Sequence, residues 1–174
     1  MNVNGAIVIA GYDPLWPARA AEEMARIQAA LGDRLLAIEH VGSTSVPGLA
    51  AKPILDLMAG IPTLDDAPAC VPLLAAIGFE YRPVVEDTMP DDRYFRKQVN
   101  GQRTHQLHMV ALGGDFWVRH LAFRDALRAD PALAAEYAAL KRQLAAQYGS
   151  DRLGYTEAKT DFIRSVEARA LRLR

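Results

Sequence analysis

Glu39-His40-Val41-Gly42-Ser43-Thr44-Ser45-Val46-Pro47-Gly48, followed by Lys52-Pro53-Ile54-Leu55-Asp56, is the stretch on which the reading of this chain turns. Residues 35–41 read as a strand, 42–48 as a loop and 53–60 as a second, buried strand. A strand that runs into Gly-Ser-Thr-Ser offers free backbone N–H groups, hydroxyls and close backbone approach, which suit phosphate oxygens. The plainer alternative is a turn whose serines and threonine satisfy local backbone groups. The spacing is not that of a Walker A loop. On the second strand, alternation puts Ile54, Asp56 and Met58 on one face and Leu55, Leu57 and Ala59 on the other. An acid in an apolar strand is costly to bury unless it is paired, hydrogen-bonded or metal-bound. Asp56 is therefore either a partner of Lys52 or a loop, or a metal-binding or catalytic carboxylate.

Working outward, Asp13-Pro14 opens a helix that Gly32 ends; either Pro17 also falls in its first turn or the true start is nearer Trp16. Residues 65–77 read as a helix that Pro72 should distort. Asn100-Gly101 between 94–99 and 102–112 suits a two-residue hairpin turn, because both central residues need positive φ. Three helices follow at 115–128, 131–148 and roughly 156–173. The expectation is one domain over 1–174: a mixed sheet half of about four strands over 1–112, and a helical half over 113–174.

The chain has 174 residues, 20 Lys+Arg against 21 Asp+Glu, and 51% hydrophobic residues. That length suits a single domain able to bury a real core. A net charge of −1 argues against a general nucleic-acid binder. One cysteine, Cys70, leaves no internal disulfide, zinc ribbon or CxxC pair. The first twelve residues lack a basic start and a long apolar run, and no stretch is apolar enough to span a membrane. These features set the expectation of a cytoplasmic protein with no membrane partner.

Around the hairpin, His105, Leu107 and Met109 share one face and Gln106, His108 and Val110 the other, so only one histidine can join Asp56 in a regular sheet. His108 is the preferred one, since His105 sits among apolar neighbours. His40, His105 and His108 account for three of the four histidines. Tyr137 and Lys141, and Tyr155 and Lys159, are each four apart on a helix face. If those faces close over the Gly-Ser turn, Lys141, Lys159 and Arg124 would neutralise an anion; otherwise they are solvated positions.

The chain resembles the GrpB family of bacterial proteins, placed in the nucleotidyltransferase superfamily. The resemblance is carried by residues 39–49 and 51–56, His105-Gln106-Leu107-His108-Met109-Val110, Phe123-Arg124-Asp125, Tyr137 with Lys141, and Tyr155 with Lys159 and Phe162. It implies an α/β polymerase-β-like nucleotidyltransferase fold, a small mixed sheet flanked by helices with a helical carboxy-terminal extension. It also implies that Gly42 and Ser43 form a phosphate turn and that Asp56 is the first metal-binding acid; His40, Thr44, Ser45 and Lys52, from the same segment, join the candidate ligand-binding residues, and His40 is also a candidate metal ligand. The superfamily places a second acid two residues on, where this chain has Met58, a poor Mg²⁺ ligand. The expected site is then Asp56 and His108 holding Mg²⁺, Mn²⁺ or Zn²⁺, with His108 also a candidate general base.

The expected ligand is a phosphorylated small molecule, a nucleotide or nucleotide-containing cofactor. Family members fused to dephospho-coenzyme A kinase make coenzyme A relatives worth testing. The expected activity is metal-dependent nucleotidyl or related group transfer with Ser43, Asp56 and His108 as catalytic residues. The alternatives are a non-catalytic binding module and a metal-dependent hydrolase.

Overall fold

The computed structural model describes residues 6–172 of the chain. The amino-terminal reading over 1–5 and the last residue of the predicted 156–173 helix lie outside them. Five strands form one sheet: β1 (Ala37–Val41), β2 (Leu55–Ile61), β3 (Phe79–Tyr81), β4 (Arg93–Val99) and β5 (Gln102–Ala111), in the order β1-β2-β5-β4-β3. Among the described residues only the β2–β5 pair is parallel; β1–β2, β4–β5 and β3–β4 are antiparallel. The hairpin between β4 and β5 turns at Asn100 and Gly101, with φ of 52° and 75°, the left-handed pair that this dipeptide favours.

The expectation of about four strands missed β3. Three residues are too short for alternation to register, and β3 is held by antiparallel pairing of Phe79–Tyr81 with Lys97–Phe95. Leading Pro53 brings no N–H to the ladder, and β2 begins two residues after it.

One sheet face carries the main core. Leu55, Leu57, Ala59, Ile61, Leu107 and Met109 meet α1 (Trp16–Leu31) and α2 (Ala67–Ala75) there. Ile27, Leu57, Leu107 and Met109 are wholly buried, each such side chain contributing roughly 1.5–3 kcal/mol. The predicted 65–77 helix is trimmed at both ends. Thr63 and Asp66 cap a short 3-10 turn (Leu64–Asp66) reciprocally, and Pro72 lies inside the nine-residue α2.

The other face is shared between packing and the site. Val41, Met58 and Val110 lie under Phe116 and Trp117 of α3 (Asp115–Ala129). The helical half continues as α4 (Pro131–Tyr148), α5 (Arg152–Ala158) and α6 (Thr160–Arg172). The single helix expected near 156–173 is thus two. The Lys159 N–H bonds to Thr156 O, three residues back, and this tighter bond turns the chain at Lys159.

Candidate functional site

The sheet register builds the site. Val41 pairs with Asp56 across β1–β2, so the loop leaving β1 begins beside that carboxylate. Asp56 pairs with Gln106, and Met58 with His108, across β2–β5. Gln106 and His108 therefore share the Asp56 face, while Leu107 and Met109 join the core on the opposite face. Gln106 Nε2 donates to Asp56 Oδ1 at 2.6 Å, and the Tyr94 hydroxyl donates to Gln106 Oε1 at 2.6 Å. His105 stands on the core face, edge-on to Phe79.

Gly42 is required where the loop starts. Its φ is +68°, and a Cβ there would lie 2.3 Å from Asp56 Oδ2. Both the left-handed backbone and the close approach exclude a side chain. Residues Ser43–Ser45 then make a 3-10 turn. Ser43 shares a hydrogen bond with the Tyr137 hydroxyl of α4.

A cavity of about 650 Å³ opens over this face, between the turn, the end of the sheet and helices α3 to α6. Gly42, Ser43, Thr44, Lys52, Asp56, His108, Lys141 and Lys159, all singled out from the sequence, line it together. His40, Ser45 and Arg124 do not. His40 Nε2 pairs with Thr44 Oγ1 at 2.9 Å, and burial, then Arg128 and Arg124, lower its pKa to about 4. Ser45 Oγ donates to Gly42 O. Arg124 donates to Glu39 Oε2 at 2.6 Å, to Asp125 Oδ1 and to His40 O, so it braces the end of β1 instead of presenting its charge to the hollow. Arg128 does the same for the turn, donating twice to Ser45 O.

Lysines converge from three elements. Lys141 on α4 is only 2% exposed and donates to Ala50 O. Burial, then Lys159 and Arg142, depress its pKa to about 7. Burial, then Lys159 and Arg152, depress that of Lys52 to about 8. Burial also lowers Lys159. The ammonium groups of Lys52 and Lys159 lie 4.2 and 4.3 Å from the centroid of the buried Tyr155 ring. Such cation–π contacts hold a cation without neutralising it.

Sequence reasoning missed Asp92, Gln106 and Arg103 as parts of this site. Asp92 is fully buried, and its Oδ2 meets His108 Nδ1 at 2.7 Å. Burial penalises the imidazolium, but Asp92 and its hydrogen bond, with Asp56 beyond, outweigh it and raise the His108 pKa. For Asp56, burial dominates and raises its pKa against the pull of His108, Gln106, Lys159 and Lys52. Gln106 was legible from its place on the His108 face. Asp92 was not, because in sequence it is one of several loop acids.

The residues do not fit the metal centre that the resemblance implies. Met58, in the place of a second acid, is fully buried beneath α3. Among the described residues no group of three His, Cys, Asp or Glu side chains could hold a metal ion.

A family model described as GrpB protein matches residues 6–169. The UPF0157 protein YqkA of Bacillus subtilis is 39% identical over 92% of this chain, which spans 46% of that protein. The conserved protein GrpB from Enterococcus faecalis, known from a crystal structure, superposes with a TM-score of 0.85 at 35% identity, covering 95% of this chain and 98% of that one. A dephospho-CoA kinase of Mycolicibacterium paratuberculosis is 31% identical over 91% of this chain and 44% of its own length. No helix among the described residues is long and apolar enough to cross a membrane.

Proposed function

The chain belongs to the GrpB protein family, and from that premise we propose that it binds a phosphorylated small molecule, a nucleotide or nucleotide-containing cofactor, in the cavity above Asp56. One observation carries this reading. Lys52, Lys141 and Lys159 converge with the Gly42–Thr44 turn on one hollow, where burial lowers the pKa of all three, and a bound anion would offset the cost of keeping them charged. Phosphate oxygens meet both requirements of the site, multiple negative charge and multiple acceptors. The apolar side chains Met89, Phe116, Phe123 and Ile163 on the same wall suit the organic part of such a ligand. The mixed sheet and turn are in keeping with a nucleotidyltransferase-like architecture. The likeness to a dephospho-CoA kinase over part of its length brings coenzyme A compounds into the ligand set.

A second reading, acid–base chemistry on the bound ligand, is favoured by the Asp92–His108 pair. Asp92 holds Nδ1, which orients Nε2 and stabilises the protonated ring, as a general acid or base requires. Asp56 stands on the same face. Among the described residues no cluster of three His, Cys, Asp or Glu side chains offers the donor set that metal-assisted nucleotidyl transfer or metal-dependent hydrolysis needs.

Isothermal titration with ATP, coenzyme A and dephospho-coenzyme A tests the binding proposal. Saturable binding of at least one, lost on Lys159→Met in a folded variant, is the expected result. No heat and no thermal stabilisation with any of the three would refute it.

A further inference from the structure

The cavity's charges do not balance. Seven cationic side chains line it, Lys52, Arg103, Arg119, Lys141, Arg152, Lys159 and Arg164, against the three acids Asp56, Asp91 and Glu167. Only Arg119 is neutralised, by Asp115 and Glu167. Among the described residues the other six have no carboxylate within ion-pairing distance. Arg103 adds a sharper sign, because its Nε is buried with no hydrogen-bond partner, a rare and costly state in a folded protein.

Where a phosphate site is built on divalent cations, the protein supplies clustered carboxylates and the metal supplies the positive charge. Here the arrangement is reversed. Asp56 is a single carboxylate, already bonded to Gln106. The neighbouring position on its face is an apolar side chain, Met58, sealed under Phe116 and Trp117. Asp92 turns its bonded oxygen to His108. The positive charge is carried instead by side chains on β5, on the loop before β2 and on α4 to α6.

We propose that the cavity takes its phosphate ligand as the metal-free anion, with Lys52, Lys141, Lys159 and Arg103 supplying the countercharge that a divalent cation would otherwise bring. This rests on the phosphate-binding reading above and names the ionic form that it selects. A Mg²⁺ ion on the phosphates would cancel part of the charge those side chains attract, add its own repulsion, and find beside Asp56 only the exposed Asp91 and Glu167, which Arg119 already holds. The Gly42 turn and Ser43 then contact phosphate oxygens directly.

The test is titration of ATP into the full chain in EDTA and again with Mg²⁺ in excess over ATP, at one ionic strength, beside a titration of MgCl₂ alone. Free ATP is expected to bind tighter than the Mg²⁺ complex by about tenfold or more, given several uncompensated charges within ion-pairing range. MgCl₂ alone should give no saturable heat. Arg103→Gln, a conservative change at the cavity wall, should narrow the preference by weakening free ATP more than the complex. Equal or tighter binding of the Mg²⁺ complex, or saturable Mg²⁺ binding lost in Asp56→Asn, overturns the metal-free proposal and leaves the binding reading standing. No ATP binding in either buffer, together with none of coenzyme A or dephospho-coenzyme A, overturns both.

Discussion

Replacing Lys141 by methionine should make the ligand-free protein more stable near neutral pH, and the gain should shrink as the pH rises. Burial, then Lys159 and Arg142, bring its pKa from 10.5 to about 7. Between those limits the unfolded chain binds the proton that the folded chain has released. Stability therefore rises with pH across the window, and the penalty for this lysine is full below it. At about 1.4 kcal/mol per pKa unit, the penalty is about 4 kcal/mol at pH 7 and about 2 kcal/mol at pH 9. Methionine keeps the apolar stem but loses the hydrogen bond to Ala50 O, leaving a buried carbonyl short of a donor at a cost of about 1–3 kcal/mol. That loss is the same at both pH values, so the difference between them, about 2 kcal/mol, isolates the charge. Urea denaturation of both proteins at pH 7 and pH 9, followed by far-ultraviolet circular dichroism, measures it. A stability difference that does not change with pH, or that favours the variant more at pH 9, would refute the claim that a desolvated charge is held there.

ATP binding should weaken as the pH rises through 7 to 8, because Lys141 and Lys52 discharge at about 7 and about 8 in the free protein. Titrations near pH 7.5 in two buffers of different ionisation enthalpy should show net proton uptake; none would contradict the assignment. Gly42→Ala should destabilise the fold by about 1–3 kcal/mol or more, since the methyl meets Asp56 Oδ2 at 2.3 Å with φ at +68°. A melting temperature within a degree of wild type would show the turn to be more yielding than its geometry states. Asp92→Asn should drop the His108 pKa, because burial remains while the carboxylate that opposes it is gone. The native pair adds stability that is present below the unfolded histidine value and lost as the pH rises through the higher folded value. An NMR titration of the imidazole reads the shift, and an unchanged midpoint would count against the pairing.

Much of the secondary structure was legible because its signals are local. Asn100-Gly101 marked the hairpin and Gly32 ended α1. Strand alternation placed Asp56 with His108 and set His105 apart, since a period of two leaves no freedom once the faces are assigned. What escaped has non-local causes. Strand β3 depends on its pairing with β4. The corner at Lys159 lies within a run whose helical spacing continues on both sides. Arg124 and Lys141 look alike as basic residues on helices, yet Arg124 faces Glu39 and His40 O, and Lys141 enters the cavity.

Taken alone, the order of residues determined the turn with its obligatory glycine, the acid in an apolar strand, and the helix faces bearing lysine beside tyrosine. Each follows from backbone sterics or from periodicity within a few residues. Only the tertiary structure decided which charges are left without partners. Lys52, Lys141 and Lys159 come from segments far apart in the chain, as do Asp92 and His108, and a pKa depends on distances and desolvation that arise when those segments pack.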